Sequence, residues 1–224
     1  MEGYDERTYG DRMAAVYDEW YGEDGGVALT VIGDPTEVAD RIADLAEDGL
    51  VLELGVGTGR LALAMAECGL AVTGVDTSAA MLDRLRAKPG ANRLTLVEGD
   101  MADPPGLSDG RFAVVLVGFN TFFNLTSAEA QNRCVASVAR LLRPGGVTVH
   151  STLFAWRYHP CPIDYFRFTA PGLKSLFDLD CLYSDFDYSE RRRDVRGQGR
   201  YALKPDLLGG WRENVRVHYA GVKR

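Results

Sequence analysis

The sequence predicts an α/β fold with a doubly wound, mostly parallel sheet, a cap of N-terminal helices and a C-terminal antiparallel hairpin. From about residue 50, short runs of branched apolar residues alternate with stretches of helical periodicity, the pattern of parallel strands joined by helical crossovers. One apolar run leads directly into a glycine-rich turn, and two further runs follow near the C-terminus. With 224 residues, a single domain spanning residues 1–224 is expected, because a chain of this length can bury a substantial core.

The central part of this domain, residues 49–152, is expected to hold the sheet. Strands are predicted at Val51–Leu54, Ala71–Val75, Leu94–Val97, Phe112–Val117 and Val147–Thr152. The helices between them are predicted at Leu61–Glu67, Ala79–Ala87 and Ala128–Leu141, the last of which is stopped by Pro144-Gly145-Gly146. Such crossovers are right-handed and bring the carboxyl ends of the strands to one edge of the sheet.

The flanking regions are predicted to cover and extend the sheet. In the N-terminal cap, residues 1–48, helices are expected at Asp11–Tyr21 and Pro35–Leu45. The C-terminal region, residues 153–224, is expected to begin with a substrate-facing loop and to contain a helix at Pro171–Phe177. Strands predicted near Leu182–Tyr188 and Val215–Val222 would form the hairpin at the sheet edge.

The composition is that of a globular protein and argues against a nucleic-acid partner. The formal net charge is −7, and nonspecific nucleic-acid binding needs clustered Lys and Arg, so no nucleic-acid partner is expected. The four cysteines form no C-x-x-C pair, which indicates neither a zinc site nor a disulfide framework. The N-terminus lacks a signal-peptide pattern, and no stretch is apolar enough to span a membrane. A cytoplasmic protein without membrane contact, monomeric or homodimeric, is therefore expected.

The clearest functional signal is the glycine-rich turn after the first core strand. Gly55, Gly57 and Gly59 have the spacing G-x-G-x-G, whereas a dinucleotide fingerprint would need its last glycine at the position of Arg60. Glycine lets the backbone approach a ligand closely, and Glu53 just before the turn suits an ammonium group better than a pyrophosphate. Taken alone, the turn could also be a structural corner between a strand and a helix.

This segment resembles the first motif, E-x-G-x-G-x-G, of class I S-adenosylmethionine-dependent methyltransferases, and the resemblance covers most of residues 50–152. It implies a Rossmann-like fold and S-adenosylmethionine as the cofactor, with S-adenosylhomocysteine as the product. Within the family, the core is similar to actinobacterial-type enzymes that modify amino sugars and other secondary metabolites. Beyond about residue 152 the chain departs from those enzymes.

The resemblance assigns roles to residues that end the second and third strands. Asp76, with the neighbouring Thr77, would hold the ribose hydroxyls. Asp100 would accept a hydrogen bond from the adenine amino group, and Met101 would pack on the ring. Taken singly, Asp76 could instead cap the helix that begins near Ser78, and Asp100 could be an ordinary turn residue.

Aromatic residues are expected around the methyl-transfer pocket. Phe119 and Asn120 follow the fourth strand, where the family lines this pocket, so Phe119 is expected near the cofactor and Asn120 near the substrate. The aromatic residues Tyr9, Tyr17, Trp20 and Tyr21 crowd one short segment, which predicts a lid over the pocket with Tyr9 and Trp20 at the substrate. By resemblance, Tyr17 would reach the cofactor carboxylate from an N-terminal helix. The alternative is that these N-terminal rings simply belong to the core.

Methyl transfer is an in-line displacement at a sulfonium, so the protein mainly positions the acceptor atom in a dry pocket. A base is needed only for an acceptor that holds its proton, as a hydroxyl does. His159 is the preferred candidate for this base and His150 the second. In the proline-stiffened loop around His159, the residues expected to bind substrate are Asp164, Tyr165 and Arg167. No cluster has metal-ligand spacing, so no metal is expected.

The expected function is methyl transfer to an amine or a hydroxyl of a small molecule. Two alternatives stay open: a cofactor-binding scaffold or regulatory domain without turnover, and an RNA or protein methyltransferase. The latter would predict a basic groove or an Asn/Asp-Pro-Pro-Tyr motif after the fourth strand, where this chain has Gly118-Phe119-Asn120-Thr121.

Overall fold

The computed structural model describes residues 7–21, 34–155, 170–188 and 215–224. Its helices are α1 (Thr8–Met13), α2 (Tyr17–Tyr21), α3 (Pro35–Ala46), α4 (Arg60–Glu67), α5 (Ala79–Arg86), α6 (Ala128–Leu141) and α7 (Ala170–Lys174). Its strands are β1 (Leu50–Leu54), β2 (Val72–Asp76), β3 (Thr95–Glu98), β4 (Phe112–Val117), β5 (Leu142–Ala155), β6 (Asp180–Tyr188) and β7 (Val215–Val222). Among these residues, no helix has the length and apolar character that a membrane span requires.

The strands form one sheet in the order β3-β2-β1-β4-β5-β7-β6. Strands β3, β2, β1, β4 and β5 run parallel, and β7 lies antiparallel between β5 and β6. The predicted Rossmann-like α/β fold and its C-terminal hairpin are therefore confirmed. Because the chain winds outward from β1 in both directions, a crevice opens between β1 and β4 at the carboxyl ends of the strands.

Helices cover both faces of the sheet, each over its own apolar core. Helices α3, α4 and α5 pack on one face, and α6 and α7 pack on the other. Along β1, Val51 belongs to the core under α3, α4 and α5, whereas Leu52 and Leu54 belong to the core under α6 and α7. Glu53 therefore belongs to the α4 side of the sheet, at the carboxyl end of its strand. All of β4 is buried, as its unbroken apolar run predicts for a central strand.

Polar side chains fix where several helices begin. Asp34 accepts a hydrogen bond of 2.8 Å from the N–H group of residue 36 at the start of α3. Ser78 and Ser127 cap α5 and α6 in the same way, accepting from the N–H groups of residues 81 and 130. Helix α4 has no side-chain cap and begins directly after Gly59. Its start is therefore set by the glycine turn itself.

Two elements differ from their predictions. The helix expected at Asp11–Tyr21 is instead two short helices, α1 and α2, separated by a turn at residues 14–16. Periodicity reports only local apolar spacing, whereas each short helix makes its own polar contacts with the core. The fifth strand begins at Leu142 rather than Val147, and Gly145 N–H donates to the carbonyl of Lys223 at 2.8 Å.

His150 lies in the core, and this placement corrects the expectation that it could act as a base. Its side chain is 0% exposed, and its ring centroid lies 4.5 Å from that of Phe177 and 5.8 Å from that of Phe122. Thr148 Oγ1 donates to the carbonyl of Val115 (3.0 Å) and therefore accepts from His150 Nε2 (2.8 Å). Burial lowers the pKa of His150 to about 3. The strand-end position in the sequence could not show that Phe177, which follows α7, packs against this ring.

Replacing His150 with leucine should change how stability depends on pH. The unfolded chain protonates this ring near its ordinary pKa of 6.5, whereas the folded protein resists protonation down to about pH 3. The stabilisation by the neutral ring is therefore complete above pH 6.5 and is lost towards pH 3, at up to about 1.4 kcal/mol per pH unit. Urea unfolding across this range should give a flatter dependence for His150→Leu than for the wild type. If the free energy of unfolding depended on pH in the same way in both proteins, the assignment of His150 as a neutral, buried group would be wrong.

Candidate functional site

A cavity opens at the carboxyl ends of β1, β2 and β3. It contains about 610 Å³ of empty space, open solvent included. The strand ends and the loops after them contribute Gly55, Asp76 and Asp100 to its wall, and the N-terminal helices contribute Tyr9 and Tyr17. We refer to it as the Asp76 cavity.

A second cavity of about 360 Å³ adjoins the first on the α4 side of the glycine turn. Its wall includes Glu53, Arg60 and Phe119, and we refer to it as the Glu53 cavity. The residues that line both cavities are Tyr17, Gly55, Gly57 and Thr121. The two cavities are therefore two arms of one crevice that meet at the glycine turn.

The glycine turn has a backbone that residues with a Cβ seldom adopt. Gly55 and Gly57 have φ values of 73° and 54°. A Cβ on Gly55 would collide with the side chain of Thr121, so this glycine lets the loop after β4 close against the turn. A Cβ on Gly57 would meet no atom within 4 Å. At Gly57 the crevice is therefore lined by bare backbone, which a ligand can approach closely.

Asp76 ties this turn to the start of α5. Its Oδ2 accepts from Gly57 N–H (2.8 Å), and its Oδ1 accepts from Ser78 N–H (2.9 Å). Burial raises the pKa of Asp76, and these two hydrogen bonds oppose the rise. Each carboxylate oxygen keeps a further lone pair for a ligand. Ser78 itself is the N-cap of α5, so the interpretation of Asp76 as the helix cap is wrong.

The loop after β3 supplies the far wall of the Asp76 cavity. Asp100 Oδ1 accepts from Ala102 N–H (2.8 Å), which fixes the orientation of the carboxylate. Met101 and Thr77 line the same cavity. This arm of the crevice therefore combines carboxylate acceptors with an apolar thioether side chain.

Glu53 is buried at the end of β1. Its side chain is 5% exposed, and its Oε2 has no hydrogen-bond partner among the residues that the structure describes. Burial raises the pKa of Glu53 to about 8, although the nearby guanidinium of Arg60 lowers it. Leaving a buried acceptor unpaired costs about 1–3 kcal/mol. Such a group indicates a position prepared for a donor from outside the chain.

Helix α1 is held against the start of α5. Ser78 Oγ donates to Asp11 Oδ1 at 2.6 Å. Gly10 makes this approach possible, because a Cβ there would lie 2.5 Å from the Cβ of Ser78. The contact places the neighbouring Tyr9 in the wall of the Asp76 cavity.

Helix α2 is held against the glycine turn by a network of Asp18, Thr58 and Lys88. Asp18 Oδ1 accepts from Thr58 Oγ1 (2.6 Å) and from Lys88 Nζ (2.8 Å). Lys88 also donates to the carbonyl oxygen of Thr58 (2.8 Å). Tyr17, next to Asp18, thereby reaches both cavities. Burial raises the pKa of Tyr17 to about 12, so its hydroxyl stays protonated and can donate.

Most of the residues predicted for cofactor binding meet in this crevice. Those in its wall are Tyr17, Glu53, Gly55, Gly57, Asp76, Thr77, Asp100, Met101 and Phe119. Tyr9, which was predicted to contact the substrate, also lies in the wall. Gly59 completes the turn at the start of α4. Asn120 is not in the wall of either cavity, and its buried Oδ1 has no partner within the described ranges. The predicted residues outside the described part are His159, Asp164, Tyr165, Arg167 and the side chain of Trp20.

Arg60 and Met81 are among the wall residues that had no predicted role. Arg60 directly follows the last glycine of the turn, so its place in the crevice wall could have been found from that spacing. Met81 lies in the first turn of α5 and lines the Asp76 cavity. No local pattern distinguishes it from an ordinary core methionine.

The charges of the crevice fit a cationic nucleoside. Its wall carries the carboxyl groups of Glu53, Asp76 and Asp100 and, among the described wall residues, one cationic side chain, Arg60. Asp76 offers acceptors for neighbouring hydroxyls, and Glu53 offers one for an ammonium group. A pyrophosphate would meet like charges here. Within residues 7–21, 34–155, 170–188 and 215–224, no group of His, Cys, Asp and Glu could hold a metal ion.

Comparison with known proteins agrees with this geometry. Residues 51–146 match the model of a family described as methyltransferase domain. The cypemycin N-terminal methyltransferase of a Streptomyces species is 41% identical over 96 residues, which cover 43% of this chain and 38% of that protein. The putative methyltransferase YqeM of Bacillus subtilis is 32% identical, over 49% of this chain and 46% of that protein. The chain thus spans less than two thirds of the length of these curated relatives.

Solved structures extend the similarity beyond the central region. The CcbJ methyltransferase from Streptomyces caelestis is 31% identical, with a TM-score of 0.59 over 99% of this chain and 83% of that one. The glycopeptide N-methyltransferase MtfA, solved with S-adenosylmethionine, is 20% identical with a TM-score of 0.53, over 84% of this chain and 94% of that one, which shows a common fold. Taken with the glycine turn and Asp76, the match to CcbJ over most of its length shows that this chain belongs to the S-adenosylmethionine-dependent methyltransferases.

Proposed function

We propose that this protein transfers a methyl group from S-adenosylmethionine to an amine or a hydroxyl of a small molecule. The observation that carries the proposal is the set of three carboxyl groups, Glu53, Asp76 and Asp100, at or just beyond the ends of neighbouring parallel strands around one glycine turn. The cofactor has a donor for each of them: an ammonium group, a ribose diol and an adenine amino group. When bound, it supplies an electrophilic methyl group on a positively charged sulfur.

Each of these side chains would hold one part of the cofactor. Asp76 would accept from the ribose hydroxyls while it keeps its bonds to the backbone of the turn and of α5. Asp100 would accept from the adenine amino group, with Met101 against the ring. Glu53 would accept from the ammonium group in the adjoining cavity. Tyr17, which lines both cavities, would stand where the nucleoside joins its tail.

An amine is the acceptor that we favour. Among the described wall residues there is no histidine, and the wall carboxylates have cofactor groups to bind. A neutral amine is nucleophilic without a dedicated base, whereas a hydroxyl often requires one. The relative named as an N-terminal methyltransferase also supports a nitrogen acceptor. For a hydroxyl acceptor, we keep His159 as the proposed base.

The substrate would be small. Residues of α1 and α2 form part of the crevice wall. The net charge of −7 gives no general attraction for a nucleic-acid backbone. We propose that Tyr9, Trp20 and Asn120 contact the substrate. The loop residues proposed to join them are Asp164, Tyr165 and Arg167.

The purified protein should release S-adenosylhomocysteine from S-adenosylmethionine when a suitable amine is present. Asp76→Asn should weaken cofactor binding by about 1–3 kcal/mol, because an amide nitrogen cannot accept the hydrogen bonds that a carboxylate oxygen accepts. Asp83→Asn, with a side chain 72% exposed on α5, is the matched control. Calorimetry with S-adenosylhomocysteine measures binding, and chromatography of the released product measures turnover.

Either of two results would contradict the proposal: no cofactor binding by the wild type, or equal affinity in Asp76→Asn and Asp83→Asn. Binding without turnover across a wide panel of amines and hydroxylated compounds would favour a regulatory cofactor-binding domain instead.

Cofactor binding should release a proton from Glu53. In the free protein this carboxyl group has a pKa of about 8 and is protonated at neutral pH. An ammonium group beside it would lower that pKa, so the bound state holds fewer protons and binding strengthens as pH rises between about 6 and 7.5. Calorimetry in buffers of different ionisation enthalpy should detect the proton in the wild type and in Glu98→Gln, an exposed control. If Glu53→Gln releases the same proton, Glu53 is not its source.

Lys88→Met should loosen the hold of α2 on the glycine turn without replacing any residue of the crevice wall. The change removes the charged hydrogen bonds from Lys88 to Asp18 and to the Thr58 carbonyl. If the bound state loses about 1 kcal/mol of stabilisation, S-adenosylhomocysteine should be released roughly fivefold faster. Stopped-flow measurement can follow this release. Arg86→Met, which removes an exposed ion pair with Asp83, is the control. Equal release rates in the two variants would show that the Asp18 network does not retain the cofactor.

A further inference from the structure

Arg60 is the cationic side chain of a crevice that is otherwise acidic. Among the described residues of the wall, the ionised or ionisable acids are Glu53, Asp76 and Asp100, and no second Lys or Arg joins Arg60. A ligand carboxylate that enters this acidic crevice has Arg60 as its cationic partner among the described wall residues. The arm that contains Arg60 is therefore the arm suited to an anionic group.

The position of Arg60 is fixed by its neighbours. It is the first residue of α4, directly after the glycine turn. Its guanidinium carbon lies 5.0 Å from the centroid of the Phe119 ring, a cation–π distance. Phe119 is in turn in edge contact with Tyr21, with ring centroids 6.4 Å apart. A guanidinium held against a ring loses less entropy when it binds a planar carboxylate.

Arg60 and Glu53 form a complementary pair in the same cavity. Both line the Glu53 cavity, and the Oε2 of Glu53 has no partner among the described residues. One side chain offers donors and the other offers an unused acceptor. An α-amino acid group carries the opposite pair, a carboxylate and an ammonium, on one carbon. The cavity thus matches a zwitterionic amino acid tail better than it matches an uncharged or singly charged one.

We propose that Arg60 binds the α-carboxylate of the cofactor's aminoacyl tail, that Glu53 takes its α-ammonium, and that Phe119 is the platform that positions Arg60. This inference rests on the proposed function. It replaces Tyr17, the residue that the family resemblance suggested for the carboxylate. Tyr17 has a neutral hydroxyl with one hydrogen to donate, whereas a guanidinium donates two parallel, charge-assisted hydrogen bonds.

The assignment predicts how the protein discriminates between two related ligands. S-adenosylhomocysteine has the full amino acid tail, whereas 5′-S-(3-aminopropyl)-5′-thioadenosine has the same nucleoside, sulfur and amine without the carboxylate. The wild type should bind the first about tenfold or more tightly than the second, because the decarboxylated ligand lacks the group that Arg60 would bind. Calorimetry with each ligand measures this ratio without requiring the methyl acceptor.

Arg60→Met should bring the ratio of the two affinities close to one. It should weaken the binding of S-adenosylhomocysteine and leave the binding of the decarboxylated ligand almost unchanged. Retained binding of the decarboxylated ligand then shows that the variant is folded. Tyr17→Phe should keep the wild-type ratio. Phe119→Leu should reduce the ratio in part, since it leaves the guanidinium in place and removes its platform. If Arg60→Met binds neither ligand, Arg60→Gln, which keeps a polar side chain, decides the question by the same comparison.

The outcomes separate the two levels of the proposal. A wild type that binds neither ligand overturns the proposed function. A wild type that binds both equally, an Arg60 variant that keeps the full ratio, or a Tyr17→Phe variant that loses it overturns the assignment of Arg60 and leaves the proposed function standing.

Discussion

The hydrogen bonds of the Asp76 carboxylate hold the site together. One oxygen accepts from Gly57 in the turn after β1, and the other accepts from Ser78 at the start of α5, so two loops that follow different strands keep a fixed spacing. Ser78 extends this order to the N-terminal cap through its bond to Asp11. All of these partners are backbone groups or short side chains with little rotational freedom. The crevice is therefore largely formed before a ligand arrives, which reduces the entropy lost on binding.

The buried acids of the crevice lower the stability of the ligand-free protein. Glu53 has an oxygen without a partner among the described residues and a pKa raised to about 8, and burial raises the pKa of Asp76 as well. Such groups destabilise the free fold, because their charged forms lose hydration. The same burial strengthens their attraction for a cation, since solvent screens it less. Groups that weaken the free protein are thus the ones that gain most when a positively charged ligand binds.

Features set by local chain geometry could be predicted from the sequence, and features set by distant contacts could not. The strands, the glycine turn and the position of Asp76 follow spacing rules within one βα unit, and the sheet order confirms the fold. The break between α1 and α2 accompanies the contact of Asp18 with Lys88, 70 residues further along the chain. The ring of His150 packs against Phe177, which comes later in the sequence. Arg60 combines both cases. Its position next to the turn could be predicted from the sequence, but its role as a cation could be inferred only from the acids that surround it in the structure.

Phe119 adopts a φ of 63°, a left-handed conformation that costs a residue with a Cβ about 1–2 kcal/mol. This backbone presents the ring to Arg60 and Tyr21. Glycine at the same position would remove the backbone strain and so stabilise the fold, but it would also remove the ring. The more stable protein would then have a less ordered crevice. Selection for heat resistance and selection for catalytic efficiency would therefore favour different residues at this one position.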